Sequence, residues 1–167
     1  MDRRLNALGL AGAIFVGLVV ITQVTAGPFS LKGSGNKPQA GINWHRDIKV
    51  AHKEAAANGK PLLVVFGASW CTYCHKLERE TLSEPEMVKY VSGNFVPVHL
   101  DFDKDRKVAE ILEVEQLPAC VVLSPDADLL GNLVGYMKRD EMRLSLDQSL
   151  KAYRNLQSKV AQTGGRN

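Results

Sequence analysis

The spacing of apolar positions changes several times along this chain of 167 residues, and each change marks an element. Ile48, Ala51, His52 and Ala55 recur at helical spacing. Asn58-Gly59 stops that helix, and Pro61 prevents its return. Leu62 to Phe66 is a continuous apolar run, suited to a central strand buried on both faces. A helix is predicted from about Cys71 to Thr81. Ser83-Glu84-Pro85-Glu86 has the form of a capping box and restarts a helix through Val91, with Gly93 at its end. Phe95 to Phe102 alternates and predicts a second strand, and Asp103 to Leu112 a short helix. Ala119 to Leu123 and Leu129 to Val134 read as strands joined at the turn Pro125-Asp126-Ala127-Asp128, a β-hairpin. Met142, Leu146, Leu150, Tyr153, Leu156 and Val160 line one face of a long final helix.

Early alternation of helix and strand implies parallel pairing with right-handed crossovers, and the closing hairpin adds antiparallel pairing. The expected architecture is α/β: a mixed sheet of about four strands with helices on both faces.

The N-terminus follows another pattern. Arg3 and Arg4 precede 27 residues without a charge, Leu5 to Leu31, of which Leu8 to Ile21 is nearly all apolar. Val24-Thr25-Ala26 supplies small residues where a signal peptidase reads, so residues 1–26 have the form of a secretory signal. Uncut, residues 5–24 are long enough to anchor the chain in a bilayer. Either way, the arginines keep the start inside and place the rest outside the cytoplasm. Residues 27–43, with glycines, prolines and serines and little periodicity, read as a linker. The folded domain is expected at 44–160, and 161–167 as a disordered tail.

Composition narrows the function. A hydrophobic share of 45% supports a packed core, while a net charge of +3 without a basic-aromatic cluster speaks against nucleic acid. Three cysteines, Cys71, Cys74 and Cys120, make no disulfide framework, because a bridge between residues three apart staples almost nothing. Their use points to chemistry.

Cys71-Thr72-Tyr73-Cys74 lies between the apolar run and a predicted helix. Unpaired N–H groups at a helix start favour a thiolate, and the nucleophile must be a thiolate. Cys71 would attack a partner's disulfide, and Cys74, one turn on and more sheltered, would resolve the mixed disulfide. Two other readings share the spacing. Structural zinc lacks a second Cys/His pair. Covalent haem at Cys71-x-x-Cys74-His75 leaves the preceding tryptophan and buried strand unexplained.

From Trp44 to Leu146 the chain resembles the thioredoxin-like fold family. The residues that carry the likeness are Ala68-Ser69-Trp70-Cys71-Thr72-Tyr73-Cys74, Asp101-Phe102-Asp103, Leu117-Pro118 and Val134-Gly135. Trp44 and Gly59-Lys60-Pro61 ahead of the strand make it most similar to the terminal domain of membrane thiol:disulfide interchange proteins. The resemblance implies a thiol-disulfide oxidoreductase without a bound cofactor or metal, acting on cysteine-containing protein substrates and recharged by a redox partner protein. It also implies that Pro118 is a cis-proline that docks substrate, that Trp70 packs beside the first cysteine, and that Gly135 lets backbone approach the site. A trans proline, a core tryptophan and an ordinary hairpin glycine are the plainer alternatives. A redox-inactive binding module of the same fold is the alternative function.

This chain departs from the family at three places. Thr72-Tyr73 stands where thioredoxins proper have Gly-Pro. Val65 stands six residues before the first cysteine, where many thioredoxins bury an acid, and His99 aligns with that acid's lysine partner. His99, or Glu78 one turn after Cys74, is therefore the candidate for the missing proton handling. Cys120 reads as a buried structural thiol. His45 and His52 lack ligand-like partners, and His75 would lie on the helix near the dithiol.

Overall fold

In the computed structural model of the chain, residues 41–164 are described. The expected signal or anchor and most of the expected linker lie outside the described residues, as do the last three residues.

Helix α1 (Ile48–Asn58) starts where the Asp47 carboxylate accepts the N–H of Lys49 and Val50, and ends at Gly59, whose φ of 62° suits a residue without Cβ. Its inner face is small: Ala51 and Ala55 are fully buried. His52 shares the helical spacing but is exposed, so it is not part of the buried stripe.

Strand β1 (Leu62–Gly67) is the centre of the domain. It pairs in parallel with β2 (Val96–Asp101) and antiparallel with β3 (Ala119–Leu123), which pairs antiparallel with β4 (Leu129–Val134). The order β2-β1-β3-β4 is the expected mixed sheet of four strands. Every residue of β1 is buried because the sheet carries a core on each face. Leu63 and Val65 share one core with Leu77, Met87, Cys120 and Leu146. Leu62, Val64 and Phe66 share the other with Ala51, Val98, Leu100 and Val121.

The dithiol helix differs from expectation. Helix α2 (Thr72–Leu77) is only six residues long and passes into a π-helical turn, Glu78–Leu82. Thr81 and Leu82 are thereby buried, and the Thr81 hydroxyl donates to Met137 O at 2.7 Å. The capping box at Ser83 does not form. The Ser83 hydroxyl donates back to Arg79 O, and α3 (Pro85–Asn94) starts from Glu84 without a side-chain cap. Pro85 in the first turn needs no N–H partner, which eases the start.

Helix α4 (Arg106–Ile111) follows β2, and α5 (Arg139–Gly164) closes the chain. Met142, Leu146, Leu150 and Tyr153 of α5 are buried, Leu156 is half-buried, and Val160 is 62% exposed. The helix thus outruns the core it packs on, and residues expected in a tail, 161–164, are helical. At the other end Ile42 is buried in the first core, so the packed domain begins before Trp44. No helix among the described residues is long and apolar enough to cross a membrane.

Candidate active site

Cys71 is the N-cap of α2, in extended backbone, and its Sγ accepts the N–H of Cys74 at 3.1 Å. The two sulfurs form a disulfide, with Cα atoms 5.3 Å apart. Cys71 and Cys74 are both buried. The N–H aimed at Cys71 Sγ is the local donor that favours a thiolate once the bond is reduced. Ala68 completes a small apolar cluster with the cysteines, and Phe102 and Leu117 pack against it.

Trp70 is outside this cluster. It is 64% exposed, and its indole N–H donates to Asp103 Oδ2 at 2.8 Å. The core-tryptophan alternative therefore fails, and the aromatic ring against the cysteine cluster is that of Phe102. Phe102 is placed by its N–H, which donates to Gly67 O at 2.8 Å at the end of β1. Just before it, burial pushes the Asp101 carboxyl up, but N–H donors from Lys104 and Asp103 and the Lys104 ammonium outweigh it and hold the group below its usual range. That network fixes the loop bearing Phe102 and Asp103.

The Leu117–Pro118 peptide is cis. Pro118 is buried, and Leu117 rests on the cysteine cluster. Pro118 O accepts the N–H of Gly135 at 2.8 Å. Gly135 has φ 91°, which a residue with Cβ rarely adopts. The start of β3 and the end of β4 are thus tied together beside the disulfide.

His99 and Glu78, 21 residues apart, meet: His99 Nε2 lies 2.7 Å from Glu78 Oε1. The imidazole has few open sides. Arg46 NH1 is 2.9 Å from Nδ1, Trp44 stands edge-on with ring centroids 5.8 Å apart, and a Cβ on Gly67 would touch the ring at 3.4 Å. Val65, where the family's acid is absent, is His99's register partner across β1 and β2. A cleft of about 210 Å³ opens beside the pair, lined by Ile42, Trp44, Arg46, Glu78, Ser83 and His99.

The other histidines lie elsewhere. His75 is exposed, with Nε2 3.0 Å from Ser69 O, and His45 pairs with Glu54 at 3.0 Å. Cys120 is a buried free thiol, pushed up to about 12 by desolvation.

Sequence reasoning missed Phe102, Leu117, Asp103 and Arg46 as individual site residues. The first three stand in the motifs quoted above, Asp101-Phe102-Asp103 and Leu117-Pro118, so motif position was their signal. Arg46 had none.

Residues 48–150 match the Thioredoxin-like domain family. The chain belongs to that family. Among thioredoxin-like relatives, it is 31% identical over 107 residues to the thioredoxin-related protein DsbJ of Chlamydia pneumoniae, covering 57% of this chain and 31% of that protein. It is 27% identical over 103 residues to the thiol:disulfide interchange protein TxlA of Synechococcus elongatus, covering 60% of this chain and 52% of the relative. The chain therefore spans about a third to a half of the length of these relatives. Its thioredoxin fold is matched by the solution structure of a thioredoxin from Thermus thermophilus, with TM-score 0.56 and 26% identity, over 74% of this chain and 93% of that one.

Proposed function

We propose that the protein is a thiol-disulfide oxidoreductase that works outside the cytoplasm on protein cysteines. The observation that carries this reading is the Cys71–Cys74 disulfide at the start of α2, with Phe102 and Leu117 packed against its cluster. The thioredoxin-like family and a relative named as a thiol:disulfide interchange protein support it. Arg3-Arg4 and the uncharged stretch after them support an extracytoplasmic location, by cleavage after Ala26 or by anchoring. The reading without a bound haem is supported by the position of Cys71 as helix cap just after the buried strand β1 and by His75 Nε2, which lies 3.0 Å from Ser69 O.

In the reducing direction, the Cys71 thiolate attacks one sulfur of a substrate disulfide. A mixed disulfide forms and one substrate thiolate leaves. Cys74 then attacks Cys71 Sγ, the intramolecular disulfide forms, and the second substrate thiolate leaves. The substrate gains two electrons and the dithiol loses them. A partner dithiol protein resets the pair by the same exchange. Oxidation of substrates is this sequence run backwards. The cis Leu117–Pro118 peptide, with Leu117 against the cysteine cluster, marks where a substrate would dock, and exposed Trp70 and Tyr73 directly precede the two cysteines.

Cys74 must lose a proton before it attacks. Val65 supplies no base, but Glu78 lies one turn after Cys74, and its N–H donates to Cys74 O. Glu78 meets His99 through Oε1, and its carboxylate, on the turn after Cys74, is the group assigned to accept the proton. Both nitrogens of His99 are engaged, so His99 acts by orienting Glu78. A positioned general base contributes roughly 10²-fold or more. Glu78→Gln is accordingly expected to slow resolution by about that factor in single-turnover exchange. His99→Ala is expected to change its pH dependence. Unchanged pH profiles in both variants would remove this pair from the mechanism.

An insulin-reduction assay with dithiothreitol tests the overall reading. Accelerated precipitation of the insulin B chain is expected. No acceleration, with both cysteines reduced and alkylatable, would leave a thioredoxin-fold binding module instead.

A further inference from the structure

We infer that Arg46 is a positioning residue for the dithiol chemistry: it holds His99 as the neutral tautomer that carries its proton on Nε2 and donates it to Glu78. The inference rests on the proton role of Glu78 proposed above. It follows from donor chemistry. A guanidinium has five N–H donors and no acceptor. Arg46 NH1 lies 2.9 Å from His99 Nδ1, so Nδ1 must present its lone pair. A neutral imidazole then has its single proton on Nε2, 2.7 Å from Glu78 Oε1. Were His99 doubly protonated, two donors would face each other at Nδ1.

The surroundings leave the ring little choice. Trp44 is edge-on to one side, and on the β1 side Gly67 presents no side chain. Among the described residues, the charged groups in contact with the ring are Arg46, from the segment before α1, and Glu78, from the π-helical turn. On β2 itself the Asp101 carboxylate is engaged by the N–H groups of Asp103 and Lys104. Arg46 is brought here by its neighbour. His45 N donates to Pro97 O at 3.0 Å and His45 O accepts from His99 N at 2.9 Å, so the segment before α1 lies along the edge of β2.

The chemical consequence lies in charge. A neutral N–H donor orients the carboxylate yet leaves it able to take a proton. An imidazolium in its place would add a full positive charge that favours the ionised carboxylate and makes it a poorer acceptor. Arg46 thus keeps a cation off Glu78's near side while remaining on the far side of the ring.

Nitrogen NMR shifts of His99 in the full chain read the tautomer directly. In Glu78→Gln the carboxamide can donate or accept, so Arg46 alone dictates, and a single Nε2–H form is expected. In the double variant Arg46→Met, Glu78→Gln a mixture of tautomers is expected. A mixture in Glu78→Gln, or a single Nε2–H form in the double variant, overturns the assignment. In single-turnover exchange, Arg46→Met is expected to slow resolution roughly fivefold near neutral pH and displace its pH profile. Arg46→Lys, whose ammonium also only donates, is expected to restore most of both. A changed profile in Glu78→Gln beside an unchanged one in Arg46→Met overturns the positioning role. Unchanged profiles in both, with the tautomer still following Arg46, would instead sink the proton role of Glu78 and leave the tautomer assignment standing.

Discussion

Cys71→Ser is expected to abolish thiol-disulfide exchange, a loss of about 10³-fold or more. The reason is local. Cys71 is the cysteine at the helix cap, and its Sγ is the atom that receives the Cys74 N–H. Cys74 is one turn inside α2 and is 2% exposed against 6% for Cys71. Both are shielded, but Cys71 holds the donor and is the less buried, so the proposed function makes it the one that meets the partner's disulfide. A serine hydroxyl is not ionised at neutral pH and cannot form the mixed disulfide. Cys74→Ser gives the complementary result: attack proceeds, resolution fails, and Cys71 stays bonded to its partner. Non-reducing gels followed by mass spectrometry of the trapped species check both. Partners captured through Cys74 in the Cys71→Ser variant, at yields matching those through Cys71, would reverse the assignment of roles. The trapped partners would also name the substrates.

Much of this site was legible in sequence, because its parts depend on short-range signals. The run Leu62 to Phe66 marked β1 since a strand with a core on each face has no polar side to show. The hairpin strands Ala119–Leu123 and Leu129–Val134 matched their expected bounds because the five residues Ser124 to Asp128, rich in turn formers, separate them. The spacing of the cysteines and the cap position of Cys71 followed from those neighbours.

What was not legible depends on contacts across the fold. The π-helical turn at Glu78 leaves no composition signal, since its residues suit an α-helix equally well. The capping box at Ser83 failed because its hydroxyl, at the end of that turn, bonds back to Arg79 O four residues earlier instead of forward. His99 and Glu78 were each candidates for proton handling, but their pairing needs the parallel register of β1 and β2 and the return of the dithiol helix. Arg46 is further still from sequence, since only the bridge of His45 to Val98 brings it to the ring. Trp70 shows the opposite case. A motif position suggested packing, while hydrogen bonding to Asp103 holds the ring outward.

Phe66→Ala is expected to destabilise the domain by about 3–5 kcal/mol. Phe66 is fully buried near the end of β1, between Leu100 of β2 and Ala119 of β3 in register. Besides Leu62, Leu100 and Leu123, its core is built mostly from small and β-branched residues, among them Ala51, Ala55, Val64, Val98 and Val121. Such side chains have few rotamers with which to fill a gap, so the cavity left by a deleted ring stays largely open. Against a typical domain stability of about 5–15 kcal/mol, the loss is a large fraction. At a few degrees of Tm per kcal/mol, a fall of roughly 10–20 °C follows. Phe66→Leu, which keeps most of the apolar volume, should cost clearly less. Calorimetry or denaturant melts of the oxidised protein compare the three. The consequence for function is indirect, because Gly67 O, the next residue's carbonyl, anchors the N–H of Phe102 against the dithiol cluster. Loosening the end of β1 therefore loosens the aromatic cover of the dithiol before it unfolds the sheet, and exchange should become less selective at temperatures where the variant is still folded. A Phe66→Ala protein within about 1 kcal/mol of the parent would mean that the core around the ring collapses into the space.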